Sequence, residues 1–341
     1  MGKRGGFDPE RLTNNPRPPL VVQQIIGPLD IEVTDITDLR AIGVGGAGGN
    51  AVERLIEASV LGVSFAVVNS DAQALSTSNA LKRVQIGAQL TRGMGCGGDP
   101  ALGRRSAEES YTELVDLVKD ADLVFIAAGL GGGTGTGAAP VVAALARDAG
   151  ALTVGVVSRP FSFEGRRRAT VAEQGIKDML EHVDALLIIP NDRLLQIAGK
   201  HMNLRDAFHL ADEVMLQGIR GISDLITTTG LINVDFADVR AVLHRGGRAH
   251  LAIGAGYGPQ KSQTAAQVVL QSPLLENPLT HATRLLVNCV GGEDLTLFEV
   301  NEFMSLLSAQ VDPNASITVG AFIHPTLKDE LRVTVIATGL P

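Results

Sequence analysis

The sequence predicts an α/β fold: a Rossmann-like parallel sheet, a long central helix and a smaller C-terminal α/β domain. Three observations predict it. Short β-branched apolar runs alternate with helix-length segments from Leu39 to Ile189, the pattern of βαβ units whose sheet is covered on both faces. Two glycine-rich turns each close such a run and open a helix. Gly reaches 39 residues while aromatics make up 4% and Trp is absent, a balance that favours an Ala/Val/Leu/Gly-built α/β protein over an all-β one.

The elements follow in order. At 341 residues the chain exceeds the usual size of one hydrophobic core, so two domains are expected. Residues 1–37 are polar and proline-rich, with a short apolar patch at Leu20 to Ile26, and read as a flexible arm. Residues 38–202 form the first domain, with strands at Ala41 to Val44, Phe65 to Val68, Leu123 to Ala127, Leu152 to Val157 and Ala185 to Ile189. Helices are expected at Ala51 to Ser59, Ser106 to Lys119 and Pro140 to Ala149. Residues 203–228 read as one helix, because Leu204, Ala207, Phe208, Ala211, Met215, Gly218, Ile219, Ile222 and Leu225 recur at a spacing of three or four. At 1.5 Å per residue it spans roughly 35 Å. Residues 229–341 form the second domain, with strands at Leu285 to Val290, Ser316 to Phe322 and Leu331 to Ala337 and a helix near Leu297 to Leu307.

Composition excludes several classes. Net charge is −8 and the only dense basic run is Arg166 to Arg168, which disfavours nucleic acid as a partner. Cys96 and Cys289 lie far apart with no metal-ligand spacing, as in a reducing compartment without structural zinc. The N-terminus lacks the apolar core of a signal peptide, and no apolar stretch is long enough for a bilayer. A soluble, cytoplasmic protein without direct membrane insertion is expected.

The glycine motifs carry the chemistry. Gly43-Val44-Gly45-Gly46-Ala47-Gly48-Gly49-Asn50 follows the first strand and opens a helix. Gly43, Gly45 and Gly48 satisfy the dinucleotide fingerprint, with Asp71 roughly 20 residues on as a ribose-binding acid. The physics is more general, since glycines let backbone N–H groups approach any phosphate at a helix N-terminus; a ligand-free tight turn would use the same residues. The second motif, Gly129-Leu130-Gly131-Gly132-Gly133-Thr134-Gly135-Thr136-Gly137, also enters a helix. Glycine at that density costs conformational entropy that a purely structural loop has little reason to bear. Stacked N–H groups and two threonine hydroxyls suit a di- or triphosphate, and no GK[ST] ending makes it a Walker A loop.

GGGTGTG, with GVGGAGGNAV, NSDAQAL, PNDRLL and NVDFADV in the same order, resembles the tubulin and FtsZ superfamily of GTPases, and within it the FtsZ family of bacterial cell division. The resemblance runs from about Leu39 to Leu340. It implies a GTP-binding domain over 38–202, a central helix, and a C-terminal domain containing a catalytic loop at 230–239. Carried over motif by motif, Gly46, Ala47, Gly48, Gly49, Asn50, Gly133, Thr134 and Gly135 contact GTP or GDP. Asn69 and Asp71 face the γ-phosphate, with Asp71 on Mg²⁺. Gly97 and Gly98 belong to a further phosphate loop, where the family usually has Ala and Asn at the positions of Gly98 and Asp99; an extra acid there is unfavourable unless a cation intervenes.

Glu164 and Arg168 match the ribose-side contacts, although Arg166 to Arg168 also reads as a solvated charge run. Asn191, Phe208 and Asp212 would hold the base: a carboxylate accepts from guanine N1–H and N2–H₂, and an aromatic face stacks on the purine. Phe208 on an apolar stripe is equally a core residue, whereas an acid on that stripe is harder to explain structurally.

Asn233, Asp235 and Asp238 lie on the loop after the long helix. Asp235 and Asp238 project to one side of a helix N-terminus, where capping is the plain alternative. The resemblance places this loop in a neighbouring subunit's pocket, with the acids polarising water. That implies homopolymeric head-to-tail filaments, activity switched on by assembly, and a place at the division site with division-associated partners. The family's usual tail-docking peptide has no counterpart in this sequence.

Overall fold

β1 (Leu39–Val44) alternates between two apolar interiors: Leu39 and Ala41 enter one, Ile42 and Val44 the other, as the period of a strand dictates. The computed structural model describes residues 37–197 and 202–339. The arm expected over 1–37 lies outside the described residues except for Thr37.

After β1 come α1 (Gly45–Glu57), β2 (Val63–Asn69), α2 (Ala72–Ser76), β3 (Lys82–Gln85), α3 (Ala88–Thr91), α4 (Pro100–Glu109) and α5 (Tyr111–Val118). β4 (Leu123–Gly129), α6 (Thr134–Asp148), β5 (Leu152–Arg159), α7 (Arg166–Leu180), β6 (Ala185–Pro190) and α8 (Asn191–Ile197) complete the first half. The second half holds α9 (Leu204–Thr227), α10 (Phe236–Leu243), β7 (Gly247–Tyr257), α11 (Lys261–Leu270), β8 (Arg284–Gly291), α12 (Leu297–Ser308), β9 (Ser316–Ile323) and β10 (Glu330–Thr338).

The strands form one sheet in the order β3-β2-β1-β4-β5-β6-β7-β10-β8-β9. β3 through β7 run parallel, and β10 lies antiparallel between β7 and β8. The two halves therefore share a sheet, but through a narrow join: β6 meets β7 only at Ala185↔Gly247, Leu186↔Arg248 and Leu187↔Ala249. α1, α9 and α10 cover one face, α5, α6 and α7 the other, and α11 and α12 pack on the C-terminal strands.

α9 bridges the join. Its 24 residues rise roughly 36 Å, and it packs on α1, β5, β6, β8 and β10. Asn203 caps it by accepting from the Asp206 N–H at 2.9 Å.

One expected helix is corrected. Ser106 to Lys119 is not continuous: Ser110 takes φ −103°, ψ 35° and ends α4. Its Oγ instead accepts from the Gly87 N–H at 3.3 Å, a local bond that competes with helix continuation.

Candidate functional site

Parallel strands aim their carboxyl ends at one edge of the sheet, where the loops of an α/β protein collect ligands. Four loops converge there on the N-terminus of α6. A Cβ on Gly45 would lie 2.9 Å from the Gly135 nitrogen. The Ser70 and Thr134 hydroxyls are 2.7 Å apart, a Cβ on Gly133 would lie 2.7 Å from the Cys96 Cβ, and one on Gly131 would lie 2.9 Å from the Arg168 carbonyl. No side chain caps α1 or α6, so two helix N-termini point unsatisfied N–H groups and positive dipole ends at the same edge.

Glycine density here has two causes. A Cβ on Gly48 would fall 2.2 Å from the Ala127 carbonyl oxygen, so that glycine is required by packing. Gly46, Gly97, Gly98 and Gly132 face open space instead. The threonines also divide. Thr136 is buried and its Oγ1 accepts from the Gly131 N–H at 2.9 Å, so it shapes the loop, while half-exposed Thr134 lies at the α6 N-terminus. Ala47, Gly49 and Gly135 complete the two turns, and Asn50 is exposed one turn into α1.

Asp71 caps α2, its Oδ1 accepting from the Gln73 and Ala74 N–H groups at 2.9 and 3.1 Å. Buried Asn69 accepts from the Asp71 N–H at 3.1 Å. No group of three potential metal ligands gathers among the described residues. A lone carboxylate does fit Mg²⁺, which is commonly held by one or two carboxylates together with phosphates and water. Asp99, the departure from the family pattern, caps α4 by accepting from the Ala101 N–H at 2.9 Å, a role Asn and Asp fill equally. The preceding Gly98 has φ +79°, a conformation alanine adopts poorly.

The neighbouring cluster brings aromatic rings and carboxylates together. Glu164 accepts from the Phe161 N–H at 2.9 Å and pairs with Arg168 one turn into α7. Phe208, 41% exposed, stands edge-on to Phe161 with centroids 5.4 Å apart, and Phe161 stacks on Phe163 at 5.1 Å. Phe208 is therefore no core residue. Asn191 is buried with its Oδ1 unpartnered. Asp212 is buried at 7% exposure, and burial pushes its carboxyl up to about 6 against the pull of Arg54. Sequence reasoning missed Ser70, Phe161 and Arg54; the FSFE run was the available signal for Phe161.

Asn233, Asp235 and Asp238 are not brought to this edge. Thr227, the last residue of α9, lies against Gly62, just before β2 begins; the loop that follows therefore starts from the amino-terminal edge of the sheet. From Asp212 to Thr227 the helix alone rises roughly 22 Å. Ile232 bridges to Ala321 of β9, and Asn233 Oδ1 accepts from the Gly230 N–H at 2.7 Å. Asp235 precedes α10 without a side-chain cap bond. Both it and Asp238 are exposed.

Residues 38–199 match the Tubulin/FtsZ family, GTPase domain, and residues 247–341 match the FtsZ family, C-terminal domain. The chain is 44% identical to FtsZ of M. jannaschii, solved as an empty dimer, with a TM-score of 0.86 over 89% of this chain and 88% of that one. CetZ1 from Haloferax volcanii, a GDP-bound monomer, is 22% identical with a TM-score of 0.77 over 89% and 95% of the two chains. CetZ2 from the same organism, a GTPγS-bound protofilament, is 23% identical with a TM-score of 0.75 over 89% and 94%; both CetZ structures share the fold. An uncapped glycine edge, an aromatic and acidic cluster beside it, and two family matches in sequence order leave one assignment: the chain belongs to the tubulin/FtsZ family, on its FtsZ branch.

Proposed function

We infer that this chain is a GTP-dependent polymerising protein of cell division, which binds GTP at the glycine edge, assembles head to tail and hydrolyses GTP where subunits meet. The observation that carries the reading is the placement of Asp235 and Asp238 at the opposite end of α9 from the glycine loops. The acids near the glycine edge have other places: Asp71 and Asp99 cap helices, Glu164 holds Arg168 and the Phe161 amide, and Asp212 is buried on α9. Phosphoryl transfer to water needs a group that positions and polarises that water. A second copy of the chain supplies it when its acidic loop meets the first copy's glycine edge.

In this reading the N-terminal amides of α1 and α6, with Gly97 and Gly98, bind the phosphates. Phe208 stacks on guanine, Asp212 accepts from its N1–H and N2–H₂, and Asn191 Oδ1 takes a further donor. Glu164 and Arg168 flank the ribose. Asp71 with Asn69 would hold Mg²⁺, which neutralises phosphate charge when bound. Asp235 and Asp238 of the next subunit orient water, and Asn233 keeps their loop in shape. One face meeting a different face does not close on itself, so such contacts build open filaments. Among the described residues no helix is long and apolar enough to cross a membrane, and a cytoplasmic place at the division site goes with this function.

Phosphate release per subunit, measured with GTP and Mg²⁺ against protein concentration, should rise steeply above an assembly threshold. A rate per subunit that stays constant on dilution overturns the shared-site reading.

A further inference from the structure

A concavity of about 400 Å³ opens at the amino-terminal edge of β5 and β6, away from the glycine loops. Arg147 enters it from the last turn of α6 and Arg240 from the last turn of α10, with His244 and Arg245 just beyond. None of the three arginines is ion-paired with a carboxylate among the described residues. Arg147 Nη1 donates to the Glu181 carbonyl, which leaves its other donors free; the chain carries 37 acidic against 29 basic side chains, so three guanidiniums without a carboxylate partner around one cavity run against its composition.

Helix dipoles explain part of this, because cations in a last turn offset the exposed carbonyl ends. That accounts for Arg147 and Arg240. It does not account for Arg245, which lines the same space from a left-handed backbone conformation at φ +51° that arginine does not favour. The acid in the wall, Asp184, is buried and already spent: Oδ2 accepts from the Thr153 N–H at 2.9 Å, and Oδ1 meets His244 Nδ1 at 2.7 Å and the Arg245 N–H at 3.5 Å. Both of its oxygens are taken up by these contacts, and its negative charge is outnumbered by the three guanidiniums around it. The rest of the wall is glycine, alanine and valine.

We propose that this concavity binds a compact polyvalent oxyanion of the pyrophosphate class. Guanidinium forks match tetrahedral oxyanions bidentately, and the volume exceeds what one orthophosphate fills. The site is separate from the glycine edge and does not depend on how that edge is read.

The test is calorimetric titration of the full chain with pyrophosphate, in 0.15 M salt with a chelator and excess GDP. One GDP-insensitive site is expected. Arg147→Ala with Arg240→Ala, both exposed helical positions, should weaken it by about tenfold for each guanidinium removed. Arg245→Gly, which keeps the left-handed backbone, should weaken it independently. Lys82→Ala with Arg83→Ala removes the same charge from the distant β3 edge and should leave it unchanged. Absence of a GDP-insensitive site in the unmodified protein overturns the proposal. So does an equal loss in the Lys82 and Arg83 control, which would mark general electrostatics.

Discussion

Burial on α9 raises the Asp212 carboxyl to about 6, from an ordinary 3.8, while Arg54 on α1 pulls the other way. The sign follows directly. A raised folded-state value means the folded chain holds that proton more tightly than the unfolded chain does, so the resulting stabilisation is full below about pH 4 and lost as pH rises through 6. Two units correspond to about 3 kcal/mol. Nucleotide-free Asp212→Asn should therefore gain melting temperature over the parent at pH 8, about half as much at pH 5 and little at pH 4. Guanine binding has the opposite dependence, because N1–H and N2–H₂ need the ionised carboxylate. GDP affinity should fall below pH 6 by up to about tenfold per unit, and Asp212→Ala should cost about 1–3 kcal/mol of binding at pH 7.5. Affinity flat with pH, or unchanged in Asp212→Ala, removes Asp212 from the base site. An acid on an apolar stripe was legible in sequence. The edge-on contact of Phe208 with Phe161 was not, since no periodicity reports a pairing between α9 and the turn after β5.

At the scale of elements, periodicity recovered the strands buried on both faces and the striped α9, and failed where tertiary contact overrides local pattern. β3 (Lys82–Gln85) is a polar edge strand, and α7 begins with three arginines, so neither shows an apolar period. β7, where no strand is expected from the sequence, contains Gly254 and Gly256; in the fold a Cβ on Gly256 would sit 1.9 Å from the Lys261 carbonyl oxygen, because α11 runs that close to the strand. The same distinction makes a prediction at the glycine edge. A Cβ on Gly137 would lie 2.0 Å from the Pro100 carbonyl oxygen, so Gly137→Ala forces α4 and α6 apart and should cost about 1–3 kcal/mol in chemical denaturation. Gly46 has nothing within 4 Å of its would-be Cβ. Gly46→Ala should leave stability within about 1 kcal/mol yet weaken nucleotide binding, the added methyl standing where phosphate approaches. Normal GDP affinity in Gly46→Ala would show that the open space is not used by ligand.

Across the whole molecule, the sheet is continuous but joined at three register positions between β6 and β7, and α9 carries the connection from Phe208 and Asp212 to the acidic loop. The opposite placement of these groups was not legible in sequence, where only resemblance located the loop in another subunit; strand direction and the Thr227 contact with Gly62 supply the physical reason. The proposed division of the active site between two subunits predicts complementation between two defective proteins. Asp235→Ala keeps its own glycine edge and Asp212, so it should bind GTP normally and turn over little. Asp212→Ala should bind GTP poorly while presenting an intact Asp235 to its neighbour. Mixed filaments contain contacts in which GTP held by an Asp235→Ala subunit faces an unaltered acidic loop, so the mixture should release phosphate faster than the sum of the two proteins assayed alone. The gain should peak at intermediate ratios and vanish on dilution below assembly. If pelleting shows that the two proteins co-assemble while their activities merely add, the acidic loop acts within its own chain or not at all, and the divided site is wrong.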